Sequence, residues 1–167
     1  VGIGPVGLMS VVGTNMRGAS RIIAVGTRPV CVEAAKKYGA TDFISYKNGP
    51  IWKQVMDMTD GKGVDKVVIA GGGVETFAEA VKCLKPGGKI PRTEWGVGMG
   101  HKQINGGLMP GGRLRMEKLG ALVSAGKLDV SPLSTHVFKG WDHLEEALFL
   151  MRDKPAELIK PVVLIEE

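Results

Sequence analysis

Two short stretches carry the residue types and spacing that could do chemistry. The first is Gly2-Ile3-Gly4-Pro5-Val6-Gly7, a G-x-G-x-x-G run with an apolar segment directly behind it. Two such glycines let a backbone turn tightly against a pyrophosphate, and the third lets a helix lie close on a sheet. The helix N-terminus then offers unbonded N–H groups and a positive dipole end to the anion. A tight strand–helix turn with no ligand has the same pattern, so a second site must decide. That site is Gly26-Thr27-Arg28, about 20 residues on, where an NAD site places an acid for the ribose hydroxyls. A carboxylate repels a 2′-phosphate, whereas a small residue, a hydroxyl and a guanidinium accept one. The local chemistry therefore points to NADP over NAD, the alternative for Arg28 being a solvated surface arginine. The missing acid also counts against a methyltransferase, which needs it for a ribose as well.

Catalytic groups are scarce. His101, His136 and His143 have no partners at metal-ligand spacing, so each reads as structural or solvated. No G-x-S-x-G nucleophile elbow is present. Cys31 and Cys83 are isolated and read as buried thiols of a reducing compartment, neither a zinc site nor a disulfide framework. Trp95, Met99 and Met109 suit either an apolar pocket or core packing. No catalytic residue and no metal ligand is assigned.

The elements that must position these groups alternate between strand and helix. Helix starts at Pro5 and at Pro29 suit the first helical turn. Arg21 to Val25 and Val64 to Ala70 are nearly continuous apolar runs, as expected of strands buried on both faces. Thr41 to Tyr46 is a further strand candidate, and Ile51, Val55 and Met58 recur at helical spacing. Phe77, Ala80, Val81 and Leu84 line a helix face, ended by Lys85-Pro86-Gly87-Gly88. His101 to Leu108 reads as a strand near the sheet edge, and Gly111-Gly112 leads into a helix. Asp142 and Glu145 have capping-box spacing ahead of another helix. Lys160 to Ile165 is a closing strand with nothing after it to pair with. The pattern predicts an α/β fold, a doubly wound parallel sheet of Rossmann type. Two places look incomplete. Only Val1 and Gly2 precede the glycine loop, and only Lys89-Ile90 separates Gly88 from Pro91, where a strand needs about five residues. Most of the first strand and a segment between Ile90 and Pro91 are expected to be missing, so the sequence reads as a fragment.

Length and composition agree with one soluble globular domain: 167 residues, 44% hydrophobic and 23% charged. The net charge of +5 is scattered and aromatics make up 5%, which favours a small anionic ligand over a nucleic acid. No signal peptide and no run of 18 apolar residues points to a membrane.

Taken together, these stretches resemble the zinc-dependent medium-chain alcohol dehydrogenases, specifically the microbial NADP-dependent secondary-alcohol branch. The resemblance rests on the glycine loop through Met9, on Tyr38-Gly39-Ala40-Thr41-Asp42, and on Gly61 through Gly72. Trp95 through Lys102, Gly106 through Arg115, Asp153-Lys154-Pro155 and Pro161-Val162-Val163 also carry it. It covers essentially the whole chain. It implies that Gly2, Gly4, Pro5 and Gly7 cradle the cofactor and that Val6 backs the nicotinamide. It implies that Gly26, Thr27 and Arg28 hold the 2′-phosphate with Tyr46 stacking beside it. Ala70, Gly71 and Gly72 would line the ribose path, with Lys154 a further cofactor candidate. Leu108 and Met109 would face the substrate and Met99 a neighbouring subunit's pocket. The family's catalytic zinc and its ligands belong to a domain N-terminal to the cofactor loop, and those ligands are absent from this chain. The expected organisation is an NADP-binding domain over residues 1–152 and a C-terminal segment, 153–167, that returns to that catalytic domain. The expected activity is interconversion of secondary alcohols and ketones in the complete enzyme, with this chain alone inactive. The setting would be cytoplasmic and the assembly a homo-oligomer, dimer or tetramer. Two other readings stay open: a stand-alone NADP-binding module, and a zinc-independent medium-chain reductase.

Overall fold

The structure, a computed structural model, describes residues 1–90, 103–104 and 112–165. Helix α1 (Pro5–Met16) follows the glycine loop, and strand β1 (Ile23–Val25) leads into α2 (Pro29–Lys37). Strand β2 (Asp42–Ile44) passes through a 3-10 turn (Tyr46–Asn48) to α3 (Ile51–Met58). Strand β3 (Val64–Lys66), α4 (Glu75–Cys83), β4 (Leu84–Ile90) and β5 (Gln103–Ile104) follow. Helix α5 (Gly112–Ser124), β6 (Ser134–Lys139), α6 (Leu144–Asp153) and β7 (Lys160–Leu164) complete the order.

Every strand pair is parallel, as strand–helix alternation requires. Strand β1 pairs with β2, and β3, β4 and β5 form a second ladder in that order. Val1 and Gly2 join the two ladders. Gly2 N donates to Val25 O at 3.0 Å, Ala70 N donates to Val1 O at 2.8 Å, and Val1 N donates to Val68 O at 2.6 Å. The spatial order is thus β2, β1, the extended pair Val1–Gly2, β3, β4, β5, the arrangement of a doubly wound sheet. Side chains alternate across it. Ala24 joins Leu8, Val11 and Ala35 beneath α1 and α2, while Val25 joins Val55, Phe77 and Val81 beneath α3 and α4. Helices therefore cover both faces, and β1, Ile-Ala-Val, is apolar throughout.

Three details depart from the sequence-based expectations. Helix α4 stops at Cys83, so Leu84 opens a strand and does not lie on the helix face. That strand runs Leu84–Ile90, longer than the Lys89-Ile90 remnant expected. Pro86 lies inside it. Proline has no ladder donor, and the register jumps from Val64↔Leu84 to Lys66↔Lys89 across it. The Asp142/Glu145 capping box does not form. Asp142 lies in a 3-10 turn (Trp141–His143), His143 precedes α6, and its Nδ1 pairs with Glu146 at 3.0 Å. The closing strand β7 pairs in parallel with β6, which precedes it in the chain.

Candidate nucleotide-binding site

The glycine loop turns where the two ladders meet, at the C-terminal ends of β1 and β3. Gly2 has φ +83°, a conformation a side chain rarely adopts, and an added Cβ would lie 2.9 Å from Gly71 N. At Gly7 an added Cβ would overlap the Gly2 carbonyl oxygen and touch the Ala70 methyl at 3.5 Å. These two glycines seat α1 against the residue 70–71 turn. Gly4 is different. It caps α1, and an added Cβ would meet one atom within 4 Å, Nη2 of Arg28 at 3.9 Å. The helix mouth is thus open, unpartnered by any capping side chain, and faced by a guanidinium. Free N–H groups, a dipole end and a cation are what a phosphate needs.

The arginine is placed by two elements. It is the residue before Pro29, in extended conformation at the N-terminus of α2. Its Nη1 also donates to the carbonyl oxygen of Leu158, in the turn between α6 and β7. Sequence reading missed this contact, since no motif marks a carbonyl 130 residues away. Lys154, exposed with φ +48° at the end of α6, precedes that same turn. Thr27 Oγ1 and Tyr46 Oη lie 2.9 Å apart beside the arginine, and Tyr46 is 57% exposed, its ring face available. Beneath them, burial pushes the Cys31 thiol up although Arg28 lies next to it, so this cysteine stays neutral and packs. Gly26 has a packing role unseen in the sequence: an added Cβ would overlap the Ile3 side chain.

Val6 is 68% exposed in the first turn of α1. Gly71 adjoins Gly2, and Gly72, with φ +120°, leads towards α4, where an added Cβ would overlap the Thr76 hydroxyl. The structure therefore gathers Gly2, Gly4, Pro5, Val6, Gly7, Gly26, Thr27, Arg28, Tyr46, Ala70, Gly71 and Gly72 around one loop. Met99, Leu108 and Met109 lie outside the described residues. Among the described residues no three His, Cys, Asp or Glu side chains come together as a metal site.

The family follows from residues 5–122, which match the zinc-binding dehydrogenases. The chain belongs to that family. It is 62% identical over 179 aligned positions to the NADP-dependent isopropanol dehydrogenase of Entamoeba histolytica, covering 99% of this chain and 49% of that protein. It is 58% identical to the NADP-dependent isopropanol dehydrogenase of Thermoanaerobacter brockii, over 99% of this chain and 51% of the relative. Among solved structures it resembles the alcohol dehydrogenase TADH from Thermus sp. ATN1, with a TM-score of 0.84 and 25% identity over 99% of this chain and 51% of the other. This zinc-binding dehydrogenase chain thus spans about half the length of these relatives. The 179 aligned positions exceed its 167 residues, so the Entamoeba protein has residues within the matched region that this chain lacks.

Proposed function

We infer that this chain is the NADP-binding part of a dehydrogenase acting on secondary alcohols and ketones. The observation that carries the reading is Arg28, standing 3.9 Å from the Cβ position of Gly4 at the open mouth of α1, with no acid at the end of β1. The two NADP-dependent relatives support it. The residues present fit the cofactor. The loop amides and the α1 dipole would take the pyrophosphate. Arg28 and Thr27 would take the 2′-phosphate, and the exposed Tyr46 ring would stack on the adenine. Val6 and the Gly71–Gly72 turn would flank the nicotinamide, and Lys154 would add a cation from the α6–β7 turn. The bound nicotinamide supplies the acceptor or donor for hydride exchange with the alcohol or ketone. This chain's part is to hold it, orient it and shield one face. Zinc does not fit the described residues, so no step runs through it here. In this reading residues 1–152 form the nucleotide-binding domain, 153–167 contact a catalytic domain, and the complete enzyme is a cytoplasmic homo-oligomer.

The test is fluorescence titration with NADPH and NADH. NADPH is expected to bind at least about tenfold more tightly, and Arg28→Ala to remove that preference by losing a charged hydrogen bond of ~1.5–3 kcal/mol. Equal affinities in the unsubstituted chain would refute the reading. A matching circular dichroism spectrum guards against loss of fold, since Arg28 also holds the Leu158 carbonyl.

A further inference from the structure

Arg28 is held from a distant part of the chain. Its Nη1 donates to the carbonyl oxygen of Leu158, while its Nη2 stands 3.9 Å from the position a Cβ would take on Gly4. A guanidinium is planar, so a partner on Nη1 sets the plane and with it the direction in which Nη2 points. The acceptor is neutral, and that matters. A carboxylate in its place would also orient the arginine, but would cancel its charge and repel a phosphate. A carbonyl orients it and leaves the charge for an anion. None of the ion pairs among the described residues includes Arg28.

The carbonyl belongs to a peptide group held at both ends. Its other half is the Ile159 N–H, which donates to Thr135 Oγ1 at 2.9 Å. A peptide whose N–H is bonded has a more polarised carbonyl and is a stronger acceptor. The flanking side chains are buried, Leu158 at 1% and Ile159 at 3% exposure, and Ile159 belongs to the cluster that holds Cys31, Ala34 and Ala35 of α2. Leu158 N donates to Pro155 O at 3.1 Å and closes the turn. Thr135 is aimed by an irregularity in β6. Ser134 pairs with Lys160 and His136 with Pro161, so Thr135 is an extra residue opposite the start of β7. Its oxygen also lies 3.1 Å from His136 Nδ1, and with either atom as donor a lone pair remains for the Ile159 amide.

We propose that Thr135 and the Leu158–Ile159 peptide form a positioning relay that presets Arg28 for a 2′-phosphate, so that selectivity for the phosphorylated nucleotide depends on a hydroxyl in β6. The proposal rests on the NADP reading above and adds to it a residue that acts through Arg28. A loose arginine gives up its rotamer freedom when it binds a ligand. Here folding has already fixed it, and that part of the binding cost is removed. Linkage runs both ways, so a phosphate that holds Arg28 also steadies the Leu158–Ile159 peptide.

Thr135→Val keeps the side-chain shape and removes the hydroxyl, and Thr135→Ser keeps the hydroxyl. NADPH and NADH are titrated by fluorescence against the 167-residue chain and both variants. Thr135→Val is expected to weaken NADPH about three- to tenfold, the worth of one hydrogen bond, and to change NADH by less than about twofold, with Thr135→Ser close to the unsubstituted chain. In an Arg28→Ala background the same valine is expected to change NADPH by less than about twofold, because nothing is left to position. A second measurement needs no substitution. Exchange of the Ile159 amide, followed by NMR at matched saturation, is expected to be at least about threefold slower with adenosine 2′,5′-bisphosphate than with adenosine 5′-monophosphate. Equal loss of both nucleotides in Thr135→Val, an unchanged ratio between them, or an Ile159 amide indifferent to the 2′-phosphate each overturns the relay while the unsubstituted chain still prefers NADPH. Equal affinities in the unsubstituted chain refute the NADP reading itself, and the relay with it.

Discussion

Glycines separate the packing and ligand roles most sharply at the residue scale. Gly7 and Gly13 both lie in α1, one against the Gly2 carbonyl and one with nothing within 4 Å of an added Cβ. Gly7→Ala is expected to destabilise by ~1–3 kcal/mol, because a carbonyl cannot swing aside as a side chain can. Gly13→Ala is expected to stabilise by ~0.5–1 kcal/mol, since alanine suits an exposed helix interior better. Urea midpoints of the two variants should move in opposite directions. The sequence marks Gly7 as the third glycine of the loop motif, but the atom it would meet, the Gly2 carbonyl oxygen, and the open space at Gly13 are seen only in the fold. Gly26 teaches the same lesson. Its place in a G-T-R stretch spoke of a phosphate, yet the structure also makes it the niche for Ile3. Arg28 was legible as a cation near the cradle, but its bond to Leu158 O was not.

Among the elements, β1 and β2 are tied at their start by a two-point contact. Arg21 Nε and Nη2 donate to Asp42 Oδ2 and Oδ1 at 2.9 and 2.8 Å, and Nη1 donates to Met58 O at 2.7 Å, joining two strands and α3. The guanidinium, with help from the Thr41 hydroxyl, lowers the Asp42 carboxyl from the ordinary 3.8 to about 2. A carboxyl whose folded pKa is depressed stabilises the fold above its unfolded pKa and loses that contribution as pH falls through the folded value. The stability gap between the unsubstituted chain and Asp42→Asn should thus be constant above about pH 5 and close between about pH 4 and 2. Denaturation midpoints across that range check this, and a gap unchanged down to pH 2 contradicts it. Helices α1 to α3 were readable because proline starts and apolar spacing are local signals. The start of β4 was not, because Leu84 continues the helical period of α4 while its backbone pairs with Val64. The absent capping box has a similar cause. The 3-10 turn at Trp141–His143 moves Asp142 out of the cap position, and Phe138 stacks on His143 at 6.0 Å.

For the whole molecule, the proposed nucleotide site stands without a metal cluster beside it among the described residues. The described residues assemble a cradle and a cation, with no metal cluster among them. The 167-residue chain is therefore expected to bind NADPH yet to oxidise no propan-2-ol, with or without added zinc. Absorbance at the reduced-cofactor band measures this, and sustained turnover would overturn the division of labour proposed here. By itself the sequence determined the parallel α/β class and the glycine loop, and it carried the proposed preference for a 2′-phosphate, because each rests on residues close together along the chain, where sterics and charge act over a few positions. The tertiary structure decided how the ladders join. It placed Val1 and Gly2 between β1 and β3, bonded to both, and brought the turn before β7 onto Arg28. Those outcomes depend on backbone edges and on contacts between distant parts of the chain, 67 residues apart for Val1 and Val68 and 130 for Arg28 and Leu158, and no local pattern of side chains encodes them.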